Sequence, residues 1–277
     1  MLTQCDAPKR KPVLIILHQE NSSPGRLGHW LTNQGWPLHV KRPRFGCTLP
    51  ETLAGYSGVI VFGGPMSAND PEAYLRAEMR LIEQALREDV PLFGVCLGAQ
   101  MLVNVLGGAT GPRADDLFEI GYHPLQATAA GAQMCAWPPV VYQWHREGMT
   151  LPAGLTALAS TDAYPNQAFA TGNAFAVQFH PEITYHLVNR WTVLAADRLS
   201  NPGAQPRAAQ LASHTRHAPR VGDWLDEIMP RWLAGTLDTK TPATTAATAQ
   251  PATVTPCSVG TAQRQLQDQQ HTQPNAA

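Results

Sequence analysis

The sequence predicts an α/β domain: a mostly parallel central sheet with helices on both faces and a small antiparallel excursion. Three observations predict it. Short runs that are apolar at every position recur along the chain, as strands buried on both faces require. Amphipathic segments of helical period lie between them. Strand and helix alternate at a spacing that suits crossover connections within one parallel sheet. The 277 residues, 44% of them hydrophobic, suffice for one sizeable domain with a tail.

Val13–Leu17 is expected to open the sheet as a buried strand. A loop over Gln19–Gly25 leads to a helix around Arg26–Gln34, closed near Gly35, and Pro37–Lys41 reads as a second strand. Gly58–Phe62 is the third strand and runs into the turn Gly63-Gly64-Pro65. Pro71–Glu88 reads as an amphipathic helix with Leu75, Met79, Ile82 and Leu86 on one face. Pro91–Val95 is the fourth strand, and Ala99–Leu106 a short helix closed by Gly107-Gly108. From Gly121 to Ala170 the pattern is less regular, with Val140–Trp144 and Thr156–Ser160 as strands of an antiparallel excursion. Ala174–Phe179 is again a strand and Thr184–Leu199 a helix. Asn201–Arg207 reads as a Pro/Gly linker. Val221–Leu233 reads as a last helix with the stripe Trp224, Leu225, Ile228 and Trp232.

From Thr236 the composition turns to Thr, Ala, Gln and Pro. Too few large apolar residues remain to offset the entropy of ordering them, so disorder is expected there. The organisation is then an extension over 1–12, an α/β domain over 13–200, a linker and helix over 201–235, and a low-complexity tail over 236–277.

The charge is nearly balanced, 20 basic against 21 acidic side chains and a net −1. Neither nucleic acid nor an anionic membrane is an expected partner. The five cysteines (Cys5, Cys47, Cys96, Cys135 and Cys257) are odd in number, widely spaced and without a C-x-x-C pair. That pattern points away from zinc knuckles and disulfide frameworks and toward a reducing, cytoplasmic setting. Met1–Lys11 lacks the apolar core of a signal peptide, and no run approaches the roughly 20 apolar residues that span a bilayer. No metal and no organic cofactor are expected.

The chemistry concentrates in three places. Gly94-Val95-Cys96-Leu97-Gly98 follows an apolar strand and precedes a short helix. That is a nucleophile elbow with Cys in place of Ser. Its glycines leave room where side chains would meet the neighbouring chain, and the helix N-terminus favours the thiolate. Gln178-Phe179-His180-Pro181-Glu182 supplies a base and an orienting carboxylate, since residues two apart on an extended chain face the same side. Gly63-Gly64-Pro65-Met66-Ser67 lets the backbone approach a ligand closely. The amides of Gly64 and Leu97 are candidates for an oxyanion hole. Each piece alone has a bland alternative: a core cysteine, a surface histidine, an ordinary turn.

Together with Ala99-Gln100, Glu119-Ile120-Gly121 and Gln143-Trp144-His145, these segments resemble the class I glutamine amidotransferase family. More narrowly they resemble its stand-alone members related to the glutaminase domain of GMP synthase. The resemblance covers about residues 13 to 200 and implies a flavodoxin-like fold with a Cys-His-Glu triad. Cys96 would attack the glutamine amide carbon. His180 would protonate the departing ammonia and then activate water, and Glu182 would orient His180. The Gly64 and Leu97 amides would hold the oxyanion. Gln100 would help hold the substrate. Trp144 and His145 are expected to line its pocket, the alternative being a buried aromatic beside a histidine already satisfied by the protein.

The motif departs from the family at Arg146-Glu147-Gly148, where Gly-Asp more often follows the histidine. The synthase's ATP-handling and dimerisation parts are not expected in this chain, which would therefore not make GMP itself. Three readings follow. One is a glutaminase that passes ammonia to a separate synthase subunit. Another is a self-contained hydrolase of glutamine or other γ-glutamyl amides. The third is a non-catalytic binding module of the same fold, against which the complete triad argues.

Overall fold

The computed structural model describes residues 10–237. Most of the expected N-terminal extension and all but the first two residues of the expected tail lie outside the described residues, as do Cys5 and Cys257.

The first four expected strands form as β1 (Val13–Ile16), β2 (Leu38–Lys41), β3 (Gly58–Val61) and β4 (Leu92–Val95). Between them lie helices α1 (Gly25–Asn33) and α2 (Ala73–Arg87), and α3 (Leu97–Val105) follows β4. Then come β5 (Ala109–Pro112), β6 (Glu119–Pro124), β7 (Gln126–Ala127), α4 (Ala129–Met134), β8 (Val140–His145) and β9 (Glu147–Thr150). The chain continues through β10 (Ala159–Ser160), β11 (Ala168–Thr171) and β12 (Ala174–Val177) to α5 (Tyr185–Leu194) and α6 (Arg207–Leu233).

The main sheet has the order β2-β1-β3-β4-β12-β11-β10-β7. Its first five strands pair in parallel. Counted among themselves they run 2-1-3-4-5, the doubly wound order of a flavodoxin-like fold. The remaining three strands are antiparallel, and β5–β9 and β6–β8 form two further antiparallel pairs.

Why β1 is apolar throughout is plain from the two cores. Val13 and Ile15 enter one, beneath α1 and α6, while Leu14 and Ile16 enter the other, beneath α2 and α3. Each such buried side chain contributes about 1.5–3 kcal/mol.

Several elements differ from the sequence expectation. The buried stripe of α2 is Leu75, Glu78, Leu81, Ile82 and Ala85, rotated from the expected one, with Met79 and Leu86 only part-buried. Helix α3 starts at Leu97, directly after Cys96, two residues earlier than expected. Helix α5 stops at Leu194 and a 3-10 turn covers Ala196–Ser200. No Gly or Pro marks that stop, so the periodicity overran it. Of Thr156–Ser160 only Ala159–Ser160 pairs, and β5, β6, β9 and β11 carried no strand signal. Helix α6 begins at Arg207, so the linker is short, and the helix runs through Pro219. A proline there removes a backbone hydrogen bond at a cost of about 3 kcal/mol. Burial of Val221, Trp224, Leu225, Ile228 and Trp232 outweighs it. Trp232 packs 5.9 Å from Phe93, and Trp224 5.6 Å from Phe179. A Cβ on Gly58 would lie 2.8 Å from the Trp232 ring, so the glycine is what seats that indole.

Candidate active site

The C-terminal ends of β1, β3, β4 and β12 lie side by side in the sheet. There they border a cavity of about 730 Å³, whose walls include Gly64, Cys96, Gln100, Trp144, His180 and Glu182. In open α/β sheets this is the edge at which ligands bind.

Cys96 joins β4 to α3 with φ at 50°, a left-handed conformation that costs a non-glycine residue about 1–3 kcal/mol. Its amide donates to the Val177 carbonyl at 2.9 Å, which ties the elbow to β12. The flanking glycines are sterically obligatory. A Cβ on Gly98 would lie 2.1 Å from the Val61 carbonyl oxygen, and one on Gly94 would lie 2.8 Å from the Gly98 carbonyl. Cys96 is buried, and its Sγ accepts from the Gln178 side-chain amide at 3.5 Å.

His180 comes from the segment after β12, and its amide donates to the Tyr142 carbonyl at 2.8 Å. Its Nδ1 meets Glu182 Oε1 at 2.7 Å. That contact commits Nδ1 as donor and leaves Nε2 for chemistry. Nε2 is buried and has no hydrogen-bond partner among the described residues. The ring stands edge-on to Trp191 at 5.0 Å. Burial alone would lower the His180 pKa. The Glu182 carboxylate, and then Cys96, outweigh that and hold it above its ordinary value.

The glycine turn after β3 faces this pair. A Cβ on Gly63 would sit 2.8 Å from Cε1 of His180. The amides of Gly64 and Leu97 donate to no backbone acceptor outside the helices and strands among the described residues. The Leu97 side chain points into the core beneath α2 and α3 rather than into the cavity.

Gln100 reaches the cavity wall, but its amide nitrogen already donates to the Glu147 carbonyl at 3.0 Å and to Gln178 Oε1 at 3.2 Å. Trp144 lines the cavity and packs 5.7 Å from Trp191. His145 also reaches the wall, yet both its ring nitrogens are engaged. Nδ1 meets the Glu147 carbonyl at 3.1 Å and Nε2 meets the buried Glu119 carboxylate at 3.1 Å. Gln167 donates to that carboxylate as well, at 2.9 Å.

Sequence reasoning passed over Glu78, Gln178 and Trp191 as site residues, and it placed His18 at the ligand-bearing end of the first strand without giving it a role. A charge at position 78, on the apolar stripe of α2, was the available signal for one of them. Among the described residues no group of three or more His, Cys, Asp or Glu side chains is arranged to hold a metal ion, and no helix is long and apolar enough to cross a membrane.

The sequence model of the glutamine amidotransferase class-I family matches residues 27–189. The chain is 30% identical over 187 residues to the glutamine amidotransferase-like protein YfeJ of Salmonella typhimurium, covering 64% of this chain and 77% of that one. It is 37% identical over 147 residues to the glutamine-hydrolyzing GMP synthase of Porphyromonas gingivalis. That match covers 50% of this chain and 27% of the synthase. Among solved structures it resembles a glutamine amidotransferase from Methylobacillus flagellatus, with a TM-score of 0.76 and 26% identity over 82% of this chain and 95% of that one. It also resembles a glutamine amidotransferase from Thermotoga maritima, with a TM-score of 0.73 and 29% identity over 80% and 97%.

Proposed function

The chain belongs to the class I glutamine amidotransferase family, and on that premise we propose that it hydrolyses the side-chain amide of glutamine through a thioester on Cys96. In this scheme the Cys96 sulfur attacks the amide carbon, and the Gly64 and Leu97 amides receive the developing oxyanion. His180 delivers a proton to the nitrogen as the C–N bond breaks and ammonia leaves. Water then attacks the γ-glutamyl thioester, His180 takes its proton, and glutamate departs with the thiol restored. Glu182 keeps Nδ1 protonated and the ring oriented. Gln100 and Trp144 shape the substrate pocket. His145 acts on that pocket through Glu147, because its nitrogens are already occupied.

The observation that carries this reading is the meeting of a strained, glycine-flanked cysteine with a buried histidine whose inner nitrogen is held by a carboxylate and whose outer nitrogen has no hydrogen-bond partner among the described residues. The ammonia either passes to a synthase subunit or is released. A second reading has one specific support. A cavity of about 730 Å³ is of the size that holds drug-sized ligands and exceeds what glutamine needs. γ-Glutamyl amides with a substituent on the nitrogen are therefore also candidate substrates.

The test is labelling with a glutamine-analogue electrophile, 6-diazo-5-oxo-norleucine, alongside an assay of ammonia released from glutamine. Label confined to Cys96, with ammonia release abolished in Cys96→Ser, is the expected result. Label without turnover points to a site that awaits a partner. Absence of both in folded protein sinks the glutamine assignment.

A further inference from the structure

His18 and Glu78 form a buried pair that takes no part in the proposed reaction. Both are fully buried, and neither belongs to the cavity wall. His18 follows β1, and Glu78 lies on the inner face of α2. His18 Nε2 and Glu78 Oε2 are 2.7 Å apart. The other ring nitrogen, Nδ1, lies 3.1 Å from the Gly63 carbonyl oxygen. A carbonyl oxygen only accepts, so Nδ1 carries a proton and donates. The 2.7 Å contact needs a second proton between Nε2 and the carboxyl group. The pair is therefore neutral as a unit, which makes its burial tolerable.

This anchor bears on one peptide. In a trans peptide the C=O and the following N–H point to opposite sides. With the Gly63 carbonyl held toward His18, the Gly64 N–H is turned away from it. A Cβ on Gly64 would sit 2.8 Å from the His18 Cβ, while one on Gly63 would sit 2.8 Å from His180 Cε1 and 3.4 Å from the Cys96 Cβ. The glycine pair thus lies between His18 on one side and the reacting groups on the other. It has no side chains of its own to fix it, and glycine populates both signs of φ readily.

We propose that His18, locked by Glu78, is a positioning residue that holds the Gly63–Gly64 peptide so that the Gly64 amide faces the oxyanion. This rests on the reading of Cys96 as a nucleophile toward carbonyl carbon. It gives a role to a buried pair at the end of the first strand, and it explains why a charged residue occupies the apolar stripe of α2.

Two reagents separate positioning from general support. Iodoacetamide alkylates a thiol by displacing iodide and forms no oxyanion. p-Nitrophenyl acetate acylates it through a tetrahedral oxyanion and expels p-nitrophenolate. In His18→Leu, acylation of Cys96 is expected to fall at least about tenfold, toward the 10²–10³ that loss of a whole oxyanion donor costs. Alkylation should stay within about twofold of wild type. Glutamine kcat should fall with acylation, with KM changed little. Because Nδ2 of Asn occupies the place of Nδ1, the double variant His18→Asn/Glu78→Gln supplies that donor without stranding a buried carboxylate. It should recover acylation relative to His18→Leu.

Equal falls in acylation and alkylation would show a collapsed site and overturn the proposal. So would unchanged acylation in folded His18→Leu. A wild-type protein whose Cys96 reacts with both reagents but not with glutamine would fail the substrate reading alone, and the ratio of the two rates would still test the anchor. A Cys96 inert to both reagents would remove the two readings together.

Discussion

Replacing Glu182 by Gln keeps the shape of the group beside His180 and removes its charge. Gln Oε1 can still accept from Nδ1–H, so the ring is expected to hold its place. What is lost is the attraction between a carboxylate and an imidazolium whose nearest atoms are 2.7 Å apart. With charge centres about 4 Å apart and an effective dielectric of about 20, that attraction is worth about 4 kcal/mol. It corresponds to about a thousandfold in proton affinity. Both side chains are only 4% exposed, so solvent screens little of it. The sign is fixed by the direction of the His180 shift. The carboxylate raises the His180 pKa, so the protonated form that would, in the proposed scheme, deliver a proton to the leaving nitrogen persists at higher pH in the wild type. Activity that needs this form is lost as pH rises through the His180 pKa. In Glu182→Gln that loss should therefore begin at lower pH, and kcat at neutral pH should fall at least about 10²-fold. The assay is the pH profile of glutamine hydrolysis, with the pH profile of Cys96 alkylation by iodoacetamide beside it. Turnover within threefold of wild type, with an unmoved alkaline limb, would refute the triad assignment.

Three further substitutions probe the scaffold. Gly98→Ala would drive a Cβ to 2.1 Å from the Val61 carbonyl oxygen, a backbone atom that cannot swing aside. A loss of about 3 kcal/mol in chemical denaturation, together with loss of Cys96 labelling, is expected. Gly111→Ala, with nothing within 4 Å of the new atom, should stay within about 0.5 kcal/mol of wild type. A stable and fully labelled Gly98→Ala would contradict the steric account of the elbow. Trp224→Ala should cost about 3–5 kcal/mol, read from urea midpoints at constant slope, because the indole is 2% exposed and packs against Phe175 and Phe179. A cost below about 1 kcal/mol would make α6 an appendage rather than the cover of one sheet face.

The amino-acid sequence by itself determined the features whose cause is local. All-apolar runs such as Val13–Leu17 are strands because a segment with no polar face has to be covered on both. The glycines around Cys96 report a steric need within one turn, and His180 with Glu182 share a short extended segment. Proposing Cys96, His180 and Glu182 as one set needed nothing beyond these segments and their resemblance to a family. The tertiary structure decided what depends on partners far along the chain. Strand β12 pairs with β4, and this brings the His180 segment beside Cys96. His145 spends both nitrogens on Glu119 and the Glu147 carbonyl, so its ring is committed to the protein, which a Trp-His motif cannot reveal. Helix α6 runs through Pro219 because the burial of residues after the proline outweighs its cost, and that balance depends on a sheet face built from residues far earlier in the chain. His18 and Glu78, sixty positions apart, meet only when β1 and α2 pack. Neither has a local signal of the other, because each offsets the cost of burying its partner and that contact exists only in the folded chain.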